Sequence, residues 1–138
     1  MISREEIFNH ISTAIRAEFG ADTFVVSERV NVPAKLPCVW VLDINWTPEM
    51  RFTNFELDDE QYRSTYEVQA FSNLQVGATA QAKSLVACAE KAFRQLGYRM
   101  SFNEPVDNPE DTSIKRQVAR FTRFVGGADT INISDSNT

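Results

Sequence analysis

The side chains that most often carry enzyme or metal chemistry are scarce in this sequence. Histidine occurs once, as His10, and the two cysteines, Cys38 and Cys88, lie far apart along the chain. A nucleophile–base pair or a zinc site needs several such groups in one place. The five glycines form neither a dinucleotide-binding nor a phosphate-binding motif. We therefore expect no catalytic site, no metal site and no cofactor.

Two acidic clusters contain the oxygen ligands that hard cations prefer. The first is Asp58-Asp59-Glu60, and the second lies between Glu104 and Asp111. Neither has the alternating spacing of a calcium-binding loop. Both lie in sequence that is typical of turns, so we interpret them as solvated turns.

Size and composition indicate one globular domain. The 138 residues are 43% hydrophobic and 24% charged, which is enough to bury a core without a metal or a disulfide. The net charge of -5 argues against direct binding to nucleic-acid phosphates. No apolar stretch approaches the ~18 residues of a membrane span, and no signal peptide is recognisable. We expect a protein that folds in a reducing cytoplasm, with both cysteines reduced and largely buried and no membrane partner.

Two amphipathic helices are predicted. Ser3 followed by Glu6 forms a capping-box pattern, and apolar residues at helical spacing then continue to Phe19, so a helix is predicted over 3–19 with Gly20 as its stop. A second helix ends at Gly97. Its apolar stripe comprises Ala78, Ala82, Leu85, Val86, Ala89, Phe93 and Leu96. Such a stripe indicates a helix that packs flat across a sheet.

Strand candidates lie between and after the helices. Strands are predicted at 23–26, 38–42, 98–102 and 115–125, with a turn at 45–48 and a polar loop at 103–113. The segment 38–42 is apolar throughout, which is typical of a strand covered on both faces. The segments 50–57 and 62–72 are predicted to be the arms of a long hairpin with 58–60 at its tip. The first arm has apolar residues on both faces, which indicates two partners, the core and a neighbouring subunit.

The element order predicts the fold class. Helix, strands, helix and strands give an α+β domain over 1–126, in which two amphipathic helices pack on a mixed or antiparallel sheet with a long β-hairpin. After Gly126 the composition becomes polar, so 127–138 is predicted to be a flexible C-terminal tail.

The last strand carries three arginines. Arg116 and Arg120 share a face with Val118, whereas Arg123 projects to the other side with Phe121. A solvated strand face is one interpretation; contact with the acidic hairpin tip of an adjacent copy is the other. The predicted subunit interface comprises Phe52, Phe55, Leu57, Asp58, Asp59, Glu60, Arg63, Arg116, Arg120 and Arg123.

The C-terminal half resembles a known group of proteins. The residues concerned are YEVQAFSN at 66–73, FRQLGY at 93–98, RMSF at 99–102, EPV at 104–106 and DTSIKRQVARF at 111–121. This succession resembles the tail-terminator and head–tail connector (neck) proteins of siphovirus-type tailed phages and prophages. The resemblance covers about residues 60–125 and includes no catalytic motif.

The resemblance implies a structural role in a virion. It implies a subunit that forms a homo-oligomeric ring, a hexamer, at the tail–neck junction, where the ring caps the tail tube and joins it to the head. The implied partners are the tail tube protein and a neck or head-completion protein, and DNA passes the channel without specific binding. Another neck protein, such as a head-closure or adaptor protein, and a small non-viral protein-binding module remain as alternatives.

Overall fold

A computed structural model of the protein describes residues 3–29, 35–48, 61–107, 109 and 111–126. In chain order the elements are α1 (Arg4–Phe19), β1 (Phe24–Val26), β2 (Cys38–Pro48), β3 (Gln61–Ser72), α2 (Ala78–Gln95), β4 (Arg99–Val106) and β5 (Lys115–Gly126). The predicted α+β class is confirmed. The predicted tail at 127–138 lies outside the described residues.

The strands form one five-stranded mixed sheet in the order β1-β2-β3-β5-β4. β1 runs parallel to β2, and the other neighbouring pairs are antiparallel. Both helices pack on the same face, because buried side chains of α1 and α2 belong to one cluster with those of the strands. The other face of the sheet carries no helix of the described chain.

The predicted hairpin is present, but its first arm lies elsewhere. β3 pairs with β2 along one edge and with β5 along the other. The predicted pairing of 62–72 with 50–57 is therefore wrong, and so is the predicted turn at 45–48, which belongs to β2. A bulge between Asp43 and Asn45 lets the strand continue through turn-forming residues, because cross-strand pairing outweighs local preference. Residues 49–60, with the predicted arm and acidic tip, lie outside the described residues.

The β4 strand corrects a second boundary. It extends to Val106, so the polar loop predicted at 103–113 begins too early. Proline lacks the N–H that a central strand needs, but β4 is the last strand of the sheet. Pro105 is tolerated there because an edge strand has one side without a partner strand. The strand predicted at 115–125 is confirmed as β5.

Both predicted helices are confirmed with their caps. The Glu6 backbone N–H donates to Ser3 Oγ at 3.0 Å, and Ile7, Ile11 and Ile15 of α1 are fully buried. Every residue of the predicted α2 stripe is buried. Gly97 ends α2 with a positive φ of 87°, and the Tyr98 N–H returns to the Phe93 carbonyl at 3.0 Å.

Aromatic rings hold α2 to the centre of the sheet. The Phe93 ring stacks on Phe121 with centroids 4.7 Å apart, and it also contacts Tyr66 and Tyr98 at 5.5 Å and 5.2 Å. The Tyr98 hydroxyl lies 2.8 Å from the buried Ser64 hydroxyl. These contacts join α2, β3 and β5, so they fix the position of the two strands that carry the charged groups of the opposite face.

Candidate functional site

The face of the sheet opposite the helices is the candidate site, and we call it the outer face. Alternation along β3 places Tyr66 and Val68 under the helices and Glu67 and Gln69 on the outer face. The strand registers then define the other members. The outer face includes Trp40, Phe71, Phe102, Glu104, Arg116, Val118 and Arg120 beside Glu67 and Gln69.

A buried carboxylate lies at the centre of the outer face. Glu67 is 6% exposed. Arg120 Nε lies 2.9 Å from its Oε2, and Gln69 Nε2 donates to its Oε1 at 2.7 Å. Arg29, in the connection after β1, brings Nη2 to 3.9 Å from Oε1. A buried carboxylate is costly without such partners, so these groups act as one network.

Arginines of the outer face also lie over aromatic rings. The Arg116 guanidinium is 5.9 Å from the centroid of Phe71, and that of Arg120 is 5.3 Å from Phe102. Phe71 in turn packs against Trp40 with centroids 4.6 Å apart. Cation–π contacts of this length hold the guanidinium groups close to the sheet. The outer face is therefore an ordered surface of arginine and aromatic side chains.

Some buried polar atoms of the outer face have no hydrogen-bond partner among the described residues. They include Gln69 Oε1 and Arg116 Nε. Arg116 does use another nitrogen, because Nη2 donates to the Asp107 carbonyl at 2.8 Å. Buried polar atoms are nearly always paired in folded proteins. The polar groups of the outer face are thus not fully satisfied within the part of the chain that the structure describes.

The charge of the outer face differs in sign from that of the whole chain. Register and contacts place Arg29, Arg63, Arg116 and Arg120 there, against the carboxylates Glu67 and Glu104. The chain as a whole carries -5. An acidic protein therefore presents a basic surface among its described residues, which favours contact with an acidic group.

Arg123 lies apart from the other candidate residues. Its Nη1 donates to the Leu96 carbonyl at 2.7 Å. Its side chain also packs against Gly97, where an added methyl group would lie 3.4 Å from Arg123 Nε. It therefore satisfies a carbonyl at the end of α2, on the helix side of the sheet. Of the other predicted interface residues, Arg63 is exposed on the outer face. Phe52, Phe55, Leu57, Asp58, Asp59 and Glu60 lie outside the described residues.

Sequence reasoning missed Glu67, Gln69 and Arg29. The alternation of β3 places Glu67 and Gln69 opposite the core, and polar residues in that pattern indicate a solvated face. A signal was available, because Glu67 pairs directly with Arg120 in the neighbouring strand. Arg29 had none, since its contact depends on the path of the chain after β1.

The single histidine, His10, and Cys88 lie at the helices, away from the outer face, whereas Cys38 lies on the outer face beside Phe71. His10 Nε2 lies 3.0 Å from Gln95 Oε1, at the boundary between α1 and α2. Both cysteines are free, with Cys38 buried and Cys88 partly buried beside the Ala14 carbonyl, its Sγ 3.5 Å from that oxygen. No group of three or more metal-ligating side chains occurs in the described ranges. None of the described helices is long and apolar enough to cross a membrane.

Both thiols are expected to react slowly with thiol reagents. Burial raises the pKa of Cys38 to about 11, although the Trp40 side chain opposes part of the rise. Burial, and then the carboxylate of Glu18, raise the pKa of Cys88 to about 12. A raised pKa keeps a thiol protonated, so at pH 8 the reactive thiolate of Cys38 should be about 100-fold rarer than in the unfolded chain.

Labelling with a disulfide reagent at pH 8, with and without urea, measures this difference. The folded chain should label at least about 100-fold more slowly, with a rate that rises about tenfold per pH unit up to pH 11. Equal rates in the two states would show that the thiols are accessible and ionised in the folded protein.

One cleft lies beside the outer face. It has a volume of about 370 Å³ between the start of α2, the end of β4 and the start of β5. Its lining includes Thr79, Val106, Ile114 and Lys115. Among the described residues, no histidine and no cysteine lines it. The described lining therefore offers no nucleophile paired with an imidazole base.

Comparison with known proteins yields a likeness in fold. No protein-family model matches the chain, and no curated protein matches it. Among solved structures, a chain of "Virion of native gene transfer agent (GTA) particle" superposes with a TM-score of 0.65. The match covers 88% of this chain and 92% of that chain at 13% sequence identity. The two chains share a fold. Because the coverage is high on both sides, this likeness concerns the whole domain.

Proposed function

We propose that this protein is a structural component of a phage-type virion, a tail terminator that forms a ring at the tail–neck junction. The observation that carries the proposal is the likeness in fold to a chain of a virion particle, over nearly the full length of both chains. The resemblance of residues 60–125 to tail-terminator and neck proteins supports the same conclusion. It depends on residue identities, whereas the structural match depends on backbone geometry.

The character of the outer face supports a role in assembly. A surface of arginines and aromatic rings is typical of the centre of protein–protein interfaces. Polar groups that are buried but unpaired, such as Gln69 Oε1, also favour a surface that gains partners on binding. A subunit of a ring needs two different complementary surfaces, and the opposite charges of the outer face and of residues 49–60 fit that need.

The proposed partners follow from the proposed place. Copies of the chain associate into a ring of six, which contacts the tail tube protein on one side and a neck or head-completion protein on the other. DNA passes the channel without specific binding, and the acidic total of -5 limits its adhesion. The subunit is made in the cytoplasm of the bacterial host and functions in the virion without a cofactor.

A head-closure or adaptor protein is the second candidate, because the structural match to a virion particle is equally compatible with another neck component. The two roles differ in what they contact. A terminator binds the end of the tail tube, whereas a head-closure or adaptor protein binds on the head side of the joint.

The mass of the assembly in solution tests the proposal. The purified chain, alone and with purified tail tubes, should form a ring of six times the 15.7 kDa chain mass, and the ring should bind tube ends. Association with portal or connector rings but not with tubes would favour the head-closure or adaptor role. A chain that stays monomeric in both conditions would contradict both virion roles and favour a small binding module.

A further inference from the structure

We propose that the outer face binds residues 49–60 of a neighbouring copy of this chain. The inference deepens the proposed function. It depends on that function in one respect, because it requires copies of the chain to assemble. It starts from a difference in charge between two parts of one sequence. Residues 49–60 contain five carboxylates and one arginine, whereas arginines outnumber carboxylates among the described residues of the outer face. Opposite charges in two parts of one chain favour a head-to-tail contact between copies.

Two arginines of the outer face are preorganised for such a contact. Arg116 and Arg120 lie over Phe71 and Phe102, which fixes both guanidinium groups before any partner binds. Fixed side chains lose less entropy on binding, so a carboxylate gains more from them than from mobile lysines. Arg63 is exposed further along the same face. The three arginines form a basic stripe that runs along the length of the sheet.

The composition of the acidic segment also fits an aromatic surface. Residues 49–60 contain Phe52, Phe55 and Leu57 among the carboxylates. Trp40 and Phe102, which are partly exposed, supply apolar area beside the arginines of the outer face. Aromatic contacts and ion pairs would thus alternate along the same interface, which is the arrangement of stable protein–protein contacts.

The length of the segment distinguishes a neighbouring copy from the same chain. Residues 49–60 join the ends of β2 and β3, so a loop that leaves and returns extends by at most six residues, about 20 Å. Arg116 pairs with Phe71, ten residues along β3 from Gln61, which is about 34 Å of strand. The segment cannot reach Arg116 of its own chain, but it is long enough to cross part of a neighbour's sheet.

Charge reversal on each side tests the contact. The first variant is Arg63→Glu with Arg116→Glu, and the second is Asp58→Lys with Asp59→Lys and Glu60→Lys. Arg120 is left unchanged because it holds the buried carboxylate of Glu67. Each variant alone should raise the concentration needed for half-assembly by at least about tenfold, measured by light scattering or native mass spectrometry. An equimolar mixture should assemble nearly as well as the wild type, since each acidic part then meets a basic one.

Three controls define the result. Lys83→Glu with Lys91→Glu reverses two exposed lysines of α2. It changes the net charge as much as Arg63→Glu with Arg116→Glu does, and it should leave assembly unchanged. Thermal unfolding of every variant shows that the subunits remain folded. A chain that carries both sets of reversals should assemble by itself, whether residues 49–60 bind a neighbouring copy or their own chain. The equimolar mixture of the two variants restores assembly only if residues 49–60 bind a neighbouring copy. A mixture that fails to assemble would therefore overturn the proposal.

The outcomes also separate this inference from the proposed function. Wild-type rings that are insensitive to both reversals would overturn the inference and leave the terminator role standing. A wild type that never assembles would contradict both. Duplex DNA that binds the wild type at physiological salt, but not Arg63→Glu with Arg116→Glu, while assembly stays unchanged, would assign the outer face to nucleic acid and overturn the inference.

Discussion

Replacing Phe93 with alanine is expected to lower the free energy of unfolding by about 4 kcal/mol. The Phe93 ring is fully buried and contacts Tyr66, Tyr98 and Phe121, so its removal leaves a cavity where α2 meets β3 and β5. A loss of this size is a large part of the about 5–15 kcal/mol that stabilises a typical domain. Urea unfolding measured by circular dichroism gives the value from the shift of the midpoint.

Two variants serve as controls for Phe93→Ala. Phe93→Leu keeps most of the volume and should cost less than about 2 kcal/mol. Phe19→Ala makes the same chemical change at the end of α1, where the ring is only partly buried, and should cost about half as much as Phe93→Ala. Equal losses at the two phenylalanines would contradict the central position of Phe93 in the core.

Replacing Arg120 with alanine is expected to lower the free energy of unfolding by about 2 kcal/mol. The substitution leaves the buried carboxylate of Glu67 without its closest cationic partner, which lies 2.9 Å away. The loss is smaller than for a fully buried pair, because the Arg120 side chain is 49% exposed and Arg29 remains near Glu67. Chemical unfolding at neutral pH measures the loss.

A double-mutant cycle isolates the pair. In a Glu67→Gln background no buried charge remains, so Arg120→Ala should cost about 1 kcal/mol or less there, which gives a coupling energy of about 1–2 kcal/mol. Arg116→Ala is the matched control, because Arg116 also lies over an aromatic ring but forms no ion pair with the described residues. Its effect should stay below about 1 kcal/mol. Additive losses in the cycle would show that Glu67 and Arg120 do not stabilise one another.

The helices and the last strand were predictable because local signals and tertiary packing agree there. Ser3 and Gly97 mark the caps, and the α2 stripe faces the sheet as its spacing indicates. β2 was predicted too short because Asn45 and Pro48 favour turns, whereas pairing with β3 keeps the chain extended past both. Strand pairing depends on residues far away in the sequence, so a local pattern does not determine where a strand ends.

The candidate site was predictable only in part. The alternation of β5 assigned Arg116 and Arg120 to one face and Arg123 to the other, and the structure places them so. Glu67 was missed, because polar residues at alternate positions of β3 are typical of a solvated face, whereas Glu67 is buried. Its burial depends on Arg120 from a neighbouring strand and Arg29 from a loop, and no local pattern brings these three together.

Deletion of the gene from the genome that encodes it tests the proposed tail-terminator role most directly. Electron microscopy of the lysate measures tail length and counts heads joined to tails. A terminator predicts overlong or unjoined tails, and a plasmid copy of the wild-type gene should restore normal particles. Tails of normal length joined to full heads would contradict the account, whereas tails of normal length beside unjoined heads would assign the protein to the head side of the neck.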